Sequence, residues 1–95
     1  MGKTLLDLGC GNGSVCLRAA PYFERVYGIE YSPFYYVVAR IRTARYDNIK
    51  IIYGNMFTLP WPKTDYIYCY LLPEMLVKFQ ALLFLNVQYL ALIQT

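Results

Sequence analysis

Short apolar runs alternate with turn-forming residues along this chain. The first run covers residues 5–8 and ends at Gly9. It has apolar side chains on both faces, as a central strand of a parallel sheet does. Three similar runs follow, and together they predict four short strands. The later runs are "RVYGIE" at 25–30, "IKIIY" at 49–53 and "DYIYCYL" at 65–71.

Helical patterns lie between these predicted strands. Residues 14–20 form a short candidate helix that ends before Pro21, because the residue before a proline is pushed out of the helical region. Ser32 and Pro33 predict the start of a second helix, in which Ser32 caps free amides. This helix is expected to end near residues 47–48. The apolar residues at helical spacing predict its buried face: Phe34, Val37, Val38, Ile41 and Ala44.

The last third of the chain predicts one more helix and one more strand. Pro73 opens a helix that runs to about residue 85, and "VQYLALI" at 87–93 favours a fifth strand. Strands that alternate with helices in this way indicate βαβ units and a parallel sheet.

Length and composition suit one small domain with a large core. The chain has 95 residues, of which 58% are hydrophobic and 16% charged. The apolar C-terminal third is broken by polar residues, so no membrane span is expected there. We see no targeting signal at the start of the chain. The interrupting residues are Glu74, Lys78, Gln80, Asn86 and Gln88.

Charge, cysteine and histidine usage exclude several functions. The formal net charge of +3 is mild beside the basic stripes of nucleic-acid-binding proteins. Three cysteines without a CxxC pair argue against a disulfide framework and a zinc site, and they favour a reducing, cytoplasmic setting. The chain has no histidine, so neither an imidazole base nor an imidazole metal ligand is available. We therefore expect no metal site.

Tyrosines and arginines raise the alternative of base stacking on nucleic acid. Arg40, Arg42 and Arg45 spread around the predicted second helix, which indicates a solvated helix surface and no clear nucleic-acid patch. The tyrosines at 66, 68 and 70 alternate along the fourth predicted strand, so they should share one face packed under a helix.

The stretch "LLDLGCGNGS" places three glycines at every second position after the first strand. Such a loop lies where parallel sheets bind ligands, and its glycines let a ligand approach the backbone closely. Gly2, Lys3 and Thr4 imitate the end of a phosphate-binding P-loop, but they precede a strand. A dinucleotide fingerprint would need a third glycine where Ser14 stands.

Two acidic residues favour a ligand without phosphates. Asp7 lies two residues before the loop, where a carboxylate would repel a pyrophosphate but attract an amino or sulfonium charge. Glu30 ends the second strand, where an acid can accept both ribose hydroxyls. A cationic nucleoside such as S-adenosylmethionine fits both positions.

Four segments also resemble one family, the class I S-adenosylmethionine-dependent methyltransferases. "LLDLGCGNG" resembles the family's first motif and "VYGIEYSP" its second. "IIYGNMFTLP" is similar to the third motif, and "DYIYCYLLPEM" resembles the fourth strand with the loop after it. The resemblance implies a Rossmann-like three-layer α/β sandwich, in which a mostly parallel sheet has the order 3-2-1-4 and a fifth strand beside the fourth.

The resemblance also implies the roles of individual residues. Glu30 would hold the ribose and Tyr31 would flank the adenine. Asn55 stands where the family often has an acid that accepts from the adenine amino group, and Met56 would offer its backbone and an apolar wall. The methionine half of the cofactor would be bordered by the loop and the acid before it: Asp7, Gly9, Cys10, Gly11, Asn12 and Gly13.

The methyl acceptor should bind after the fourth strand, at Tyr70, Leu71, Leu72 and Pro73. This segment lacks the motif of enzymes that methylate planar amines, and Cys69 is expected to be a buried strand residue rather than a nucleophile. "YLLPEM" resembles small bacterial, archaeal and mitochondrial enzymes, some of which methylate protein lysines. The acceptor stays open, with a leaning to protein lysine.

The family's complete fold has seven strands, so residues 1–95 are expected to form a single incomplete domain. Core faces that later strands normally cover would then be exposed, which predicts self-association. Two alternatives stay open: a fragment that binds the cofactor or acts as a scaffold without catalysis, and an NAD(P)-binding oxidoreductase fragment.

Overall fold

The computed structural model of the chain describes residues 2–70 and 90–94. Strands and helices alternate along residues 4–53, and a loop then leads to the fourth strand, as the sequence predicts. The strands are β1 (Thr4–Leu8), β2 (Arg25–Glu30), β3 (Ile49–Tyr53), β4 (Tyr66–Tyr70) and β5 (Leu90–Gln94). The helices are α1 (Ser14–Ala19), a 3-10 turn over Ala20–Tyr22 and α2 (Pro33–Arg42).

The five strands form one sheet in the order β3-β2-β1-β4-β5, and every pair is parallel. The predicted order is therefore confirmed, including the fifth strand beside the fourth. Leu8 in β1 pairs with Ile29 in β2 and with Cys69 in β4. This register brings the carboxyl ends of β1, β2 and β4 to the same edge of the sheet, which is the ligand edge of parallel α/β folds.

Alternate residues of β1 face two separate cores. Leu6 and Leu8 pack with Ile67 on one face, where the loop 54–64 covers them. Leu5 packs on the other face with residues of α1 and α2, namely Cys16 and Ala39. The helix predicted at 73–85 lies outside the described residues.

The predicted buried face of α2 is wrong. Phe34, Val37 and Ile41 are 69%, 52% and 70% exposed, whereas Ala39 and Thr43 are buried. Ala39 and Thr43 pack against Gly13, where α2 approaches the glycine loop too closely for larger side chains. The three large apolar side chains face solvent instead.

The predicted end of α2 near residues 47–48 is also wrong, since the helix ends at Arg42. Thr43 stops it: the Thr43 hydroxyl donates to the Ala39 carbonyl, and the Thr43 carbonyl accepts from the amide of Tyr46 in the following turn. Asn48 then connects this turn to the 3-10 turn after α1, because its side-chain amide donates to the carbonyls of Ala20 and Phe23 at 2.9 and 3.1 Å.

Several smaller predictions are confirmed. The Ser32 hydroxyl caps α2 by accepting from the Tyr35 amide. Tyr66 and Tyr68 share the face of β4 that packs on the α1 side. Cys69 is fully buried in β4, and burial raises the pKa of its thiol to about 12. The apolar C-terminal third, for which no membrane span is expected, lies mostly outside the described residues. Within the described part of the chain, neither helix is long and apolar enough to cross a membrane.

Candidate functional site

The glycine loop turns sharply between β1 and α1. Gly9, Gly11 and Gly13 have φ angles of 72°, 56° and 85°, in the left-handed region that favours glycine. The amides of Gly9 and Cys10 both donate to the carbonyl of Ile29, at 2.8 and 3.0 Å. These two bonds attach the start of the loop to the end of β2.

Glu30 connects the ends of β2 and the glycine loop through its carboxylate. One oxygen accepts from the Gly11 amide at 2.7 Å, and the other accepts from the Ser32 amide at 3.0 Å. A carboxylate oxygen can accept two hydrogen bonds, and each oxygen here accepts one from the described residues. The carboxylate is therefore held in a fixed orientation while both oxygens can still accept.

A cleft of about 250 Å³ opens beside this carboxylate. Its walls come from the loops that follow β1, β2 and β3, which meet at the carboxyl edge of the sheet. Five of the ten residues predicted to bind the cofactor line it. The lining residues are Gly9, Ile29, Glu30, Tyr31, Gly54, Asn55, Met56 and Phe57.

The far wall of the cleft is a tight turn that Asn55 organises. The Asn55 side-chain oxygen accepts from the amide of Phe57 at 2.9 Å, and the Asn55 carbonyl accepts from the amide of Leu59 at 2.8 Å. Trp61 stabilises the same turn, because its indole N–H donates to the Met56 carbonyl at 2.7 Å. The hydrophobic pattern gives Trp61 no role, but the prolines on both sides of it are a signal that could have pointed to a structural one.

Asp7 lies beneath the glycine loop rather than in the wall of the cleft. Its carboxyl group is on the α1 face of β1, it is 2% exposed, and it accepts from the Cys16 thiol with Sγ at 3.6 Å. Burial raises the pKa of Asp7 to about 7, the Cys16 hydrogen bond opposes this shift, and the charge of Glu30 adds to it. A buried acid thus lies directly under the predicted ligand loop.

Cys10 turns its thiol down into the protein, where it meets β2. An added Cβ at Gly28 would lie 2.9 Å from Cys10 Sγ and 3.0 Å from Cys16 Sγ. Glycine at position 28 therefore makes room for both thiols. The hydrogen bond with Cys10, burial and the charge of Asp7 together raise the pKa of Cys16, so this thiol stays protonated.

The crest of the loop is a small hydrogen-bond network that reaches α2. The Asn12 side-chain oxygen accepts from the Ser14 amide at 3.1 Å and from the Ser14 hydroxyl at 2.8 Å. Arg42 donates from Nη1 to the Asn12 carbonyl at 3.0 Å and to Ser14 Oγ at 3.2 Å. The sequence predicts a solvated helix surface at Arg42. Arg42 is exposed, but its side chain also bonds to the loop.

The predicted acceptor side is described only in part. Tyr70 is the last residue of β4, and its backbone follows Cys69, which pairs with Leu8 immediately before the glycine loop. Leu71, Leu72 and Pro73 lie outside the described residues.

Comparison with known proteins identifies this arrangement. A family model described as the ANTKMT methyltransferase domain matches residues 7–93. Demethylmenaquinone methyltransferase from Bacillus licheniformis is 31% identical over 70 residues, which are 70% of this chain and 30% of that protein. The chain spans between 23% and 30% of the length of the curated relatives it matches.

Solved structures agree with the fold. An RNA methyltransferase from Salinibacter ruber, crystallised with S-adenosyl-L-homocysteine, has a TM-score of 0.79 and 30% identity; the match covers 86% of this chain and 56% of that one. A dimethyladenosine transferase from Plasmodium falciparum has a TM-score of 0.85 at 18% identity, which shows the fold alone; 96% of this chain and 34% of that chain are covered. The predicted resemblance to class I methyltransferases is confirmed. Since the family model extends over nearly the whole chain, the chain belongs to the family of the ANTKMT methyltransferase domain.

Proposed function

We propose that this chain binds S-adenosylmethionine in the cleft and forms the cofactor-binding part of a methyltransferase. The orientation of Glu30 is the observation that carries this proposal. Gly11 and Ser32 fix the carboxylate, and each oxygen can still accept one bond beside the cleft. Two neighbouring acceptors match the two neighbouring hydroxyls of a ribose.

The rest of the cleft suits an adenine ring. Tyr31 and Met56 supply apolar walls, and Asn55 supplies an amide oxygen near the point where an adenine amino group would donate. The bond from the Phe57 amide uses one acceptor position of that oxygen and leaves the other. The Salinibacter ruber enzyme, with its bound S-adenosyl-L-homocysteine, supports the same assignment.

The charge under the loop suits the methionine half of the cofactor. Asp7 is buried with a weak thiol donor, and a cation above the loop would favour its ionised form. A pyrophosphate at the same place would oppose that ionisation. An ionised Asp7 would therefore favour a cationic nucleoside over a dinucleotide.

The chain's own residues would contribute binding and orientation rather than acid–base chemistry. The bound cofactor supplies a methyl group on a positively charged sulfur, which is already a good leaving group. The glycine loop and the Asn55 turn would fix the nucleoside and exclude water, so that an acceptor lone pair aligns with the methyl group. Residues 70–73 stay the predicted acceptor side.

Protein lysine stays the acceptor that the sequence favours. Methyl-labelled S-adenosylmethionine, incubated with the protein and a cell extract, should place label on lysine. Label found only in RNA or only in small molecules would contradict this choice of acceptor. The cofactor assignment would survive either result.

We further propose that residues 1–95 form a single domain. We also propose that this domain associates with a second chain through exposed apolar surface, and that it works in a reducing, cytoplasmic compartment. The exposed apolar side chains of α2, namely Phe34, Val37 and Ile41, support the association. The three free, buried cysteines support the reducing compartment. Light scattering of the purified chain tests the association, since a monomer at all concentrations would contradict it.

Calorimetric titration tests the cofactor assignment. S-adenosylmethionine and S-adenosylhomocysteine should bind the wild type, and Glu30→Ala should weaken binding about 10-fold to 100-fold, because it removes bonds to a charged acceptor. Glu24→Ala is the matched control, since Glu24 is an exposed acid outside the cleft. Absence of binding to the wild type would refute the assignment, and binding of a nicotinamide dinucleotide instead would favour an oxidoreductase fragment. Binding without methyl transfer would favour the non-catalytic alternative.

A further inference from the structure

Arg42 is the one residue of α2 whose side chain bonds to the glycine loop in the described part of the chain. It is the last residue of that helix, and 30 positions separate it from Asn12, whose carbonyl it binds at 3.0 Å. The same Nη1 atom donates to Ser14 Oγ at 3.2 Å. A single guanidinium therefore contacts both sides of Gly13.

Close packing brings Arg42 within reach of the loop. An added Cβ at Gly13 would lie 3.4 Å from Ala39 Cβ and 3.4 Å from Thr43 Cγ2. The helix thus lies directly against the loop on small residues. Arg42 precedes Thr43 and can extend along the loop from this contact.

The hydrogen bonds around Arg42 are mutually consistent. The Ser14 hydroxyl uses its hydrogen to donate to the Asn12 side-chain oxygen, so its own oxygen can accept from Arg42. Arg42 has no acceptor capacity and serves only as a donor at both contacts. The network fixes the peptide between Asn12 and Gly13 in one orientation.

Two side chains of opposite charge hold consecutive residues of the loop. Glu30 accepts from the Gly11 amide on the cleft side, and Arg42 donates to the Asn12 carbonyl on the α2 side. Glu30 is also the proposed ribose ligand, and its oxygens would bind the cofactor while they still accept from Gly11 and Ser32. Arg42 makes its contacts outside the cleft and would not touch the cofactor.

We propose that Arg42 is a positioning residue for cofactor binding, which holds residues 12–14 in the conformation that receives the methionine half. This inference rests on the proposed function. Arg42 acts through the loop and does not line the cleft. Its loss should weaken binding by freeing the loop, because binding would then have to restore the order that Arg42 supplies.

The test compares two arginines on the same helix. Arg42→Ala should weaken S-adenosylmethionine binding about threefold to tenfold, as expected for an exposed hydrogen bond from a charged donor. Arg40→Ala is the matched control, because Arg40 is an exposed arginine of the same helix whose contacts are with Tyr36 rather than with the loop. Its guanidinium bonds to the Tyr36 hydroxyl at 3.2 Å and lies over the Tyr36 ring. Arg42→Lys should restore part of the affinity, because lysine keeps a positively charged donor. The rescue should be incomplete, since an ammonium lacks the planar fork of guanidinium.

Amide hydrogen exchange gives a second measurement that needs no ligand. Exchange at residues 11–14 should be faster in Arg42→Ala than in the wild type and in Arg40→Ala, whereas exchange in β2 should stay the same in all three. A general loss of stability would instead raise exchange throughout the sheet.

The outcomes separate this inference from the proposed function. If the wild type binds S-adenosylmethionine and both alanine variants bind equally well, the positioning role of Arg42 is wrong while the cofactor assignment stands. Unchanged exchange at residues 11–14 in Arg42→Ala would also overturn it. If the wild type does not bind, the cofactor assignment fails, and the positioning role falls with it.

Discussion

Replacing Asp7 by asparagine should stabilise the protein at neutral and alkaline pH and weaken cofactor binding. The side chain is 2% exposed, and among the described residues its one hydrogen-bond donor is the Cys16 thiol, at 3.6 Å. A buried carboxylate with so weak a partner opposes folding when it is ionised. Asparagine keeps the shape and an acceptor oxygen for Cys16 but carries no charge.

The pKa of Asp7 gives the size of the effect. It rises from 3.8 to about 7 on folding, mainly through burial. Because the folded pKa is the higher one, the unfolded state ionises first. Stability is therefore complete below pH 3.8 and falls as the pH rises towards about 7. A shift of about 3 pKa units at about 1.4 kcal/mol each amounts to a loss of about 4 kcal/mol above pH 7.

Asparagine does not titrate, so the variant escapes this loss. Its buried NH2 group costs about 1–3 kcal/mol, and that cost does not depend on pH. The free energy of unfolding of Asp7→Asn, relative to the wild type, should therefore increase by about 3 kcal/mol between about pH 5 and about pH 8. Over the same range the variant should bind S-adenosylmethionine less tightly than the wild type.

Urea unfolding followed by the fluorescence of Trp61, the one tryptophan of the chain, measures this difference. Asp65→Asn is the control, because Asp65 is exposed and its bond from the Thr4 amide lowers its pKa. That variant should gain no stability towards alkaline pH. If the difference between Asp7→Asn and the wild type is the same at both pH values, Asp7 is not a buried acid that opposes folding.

Three further results are expected. Gly28→Ala should lower the free energy of unfolding by about 1–3 kcal/mol, because its Cβ would overlap Cys10, and adding Cys10→Ala should recover part of this; no recovery would contradict the packing argument. Trp61 emission should change when S-adenosylmethionine binds, since its indole bonds to the Met56 carbonyl beside the cleft; calorimetric binding with constant emission would contradict this. Asn55→Ala should weaken binding more than Asn55→Asp, which keeps an acceptor for the turn; equal affinities would argue against that role.

Local signals predicted most of the fold. The bounds of β2 and β3 agree with the apolar runs, and Ser32 with Pro33 marked the start of α2 correctly. Each of these elements is defined by residues that are neighbours in sequence. The sheet order followed from the family resemblance, and the chain adopts it.

The face of α2 that is buried depends on a contact with Gly13, and the hydrophobic periodicity of the helix carries no information about that contact. Phe34, Val37 and Ile41 have the spacing of a core stripe, but Gly13 on another element leaves room only for Ala39 and Thr43. A hydrophobic pattern shows which residues could be buried. The partner surface decides how closely the helix approaches, and that depends on small residues distant in sequence.

The candidate site shows the same division. Glu30 and Asn55 line the cleft together, as their positions at strand ends suggested. Asp7 lies under the loop instead, because alternate residues of a strand point to opposite faces and its side chain is on the helix side. Arg42 was assigned to solvent because its loop contact spans 30 residues of sequence, and no local pattern contains such a contact.

The glycines of this chain differ in what they would tolerate. At Gly9 and Gly11 an added Cβ would meet nothing within 4 Å, yet the φ angle is left-handed; at Gly28 the added Cβ would collide with two thiols. Gly9 and Gly11 are needed for their left-handed φ angles, whereas Gly28 is needed because the space beside it is filled by the two thiols. Over evolutionary time, asparagine, which accepts left-handed angles, could replace a loop glycine, whereas position 28 can change only if the residues at 10 and 16 shrink with it. Sequences of relatives should therefore show independent variation in the loop and correlated variation between β2 and the two cysteines.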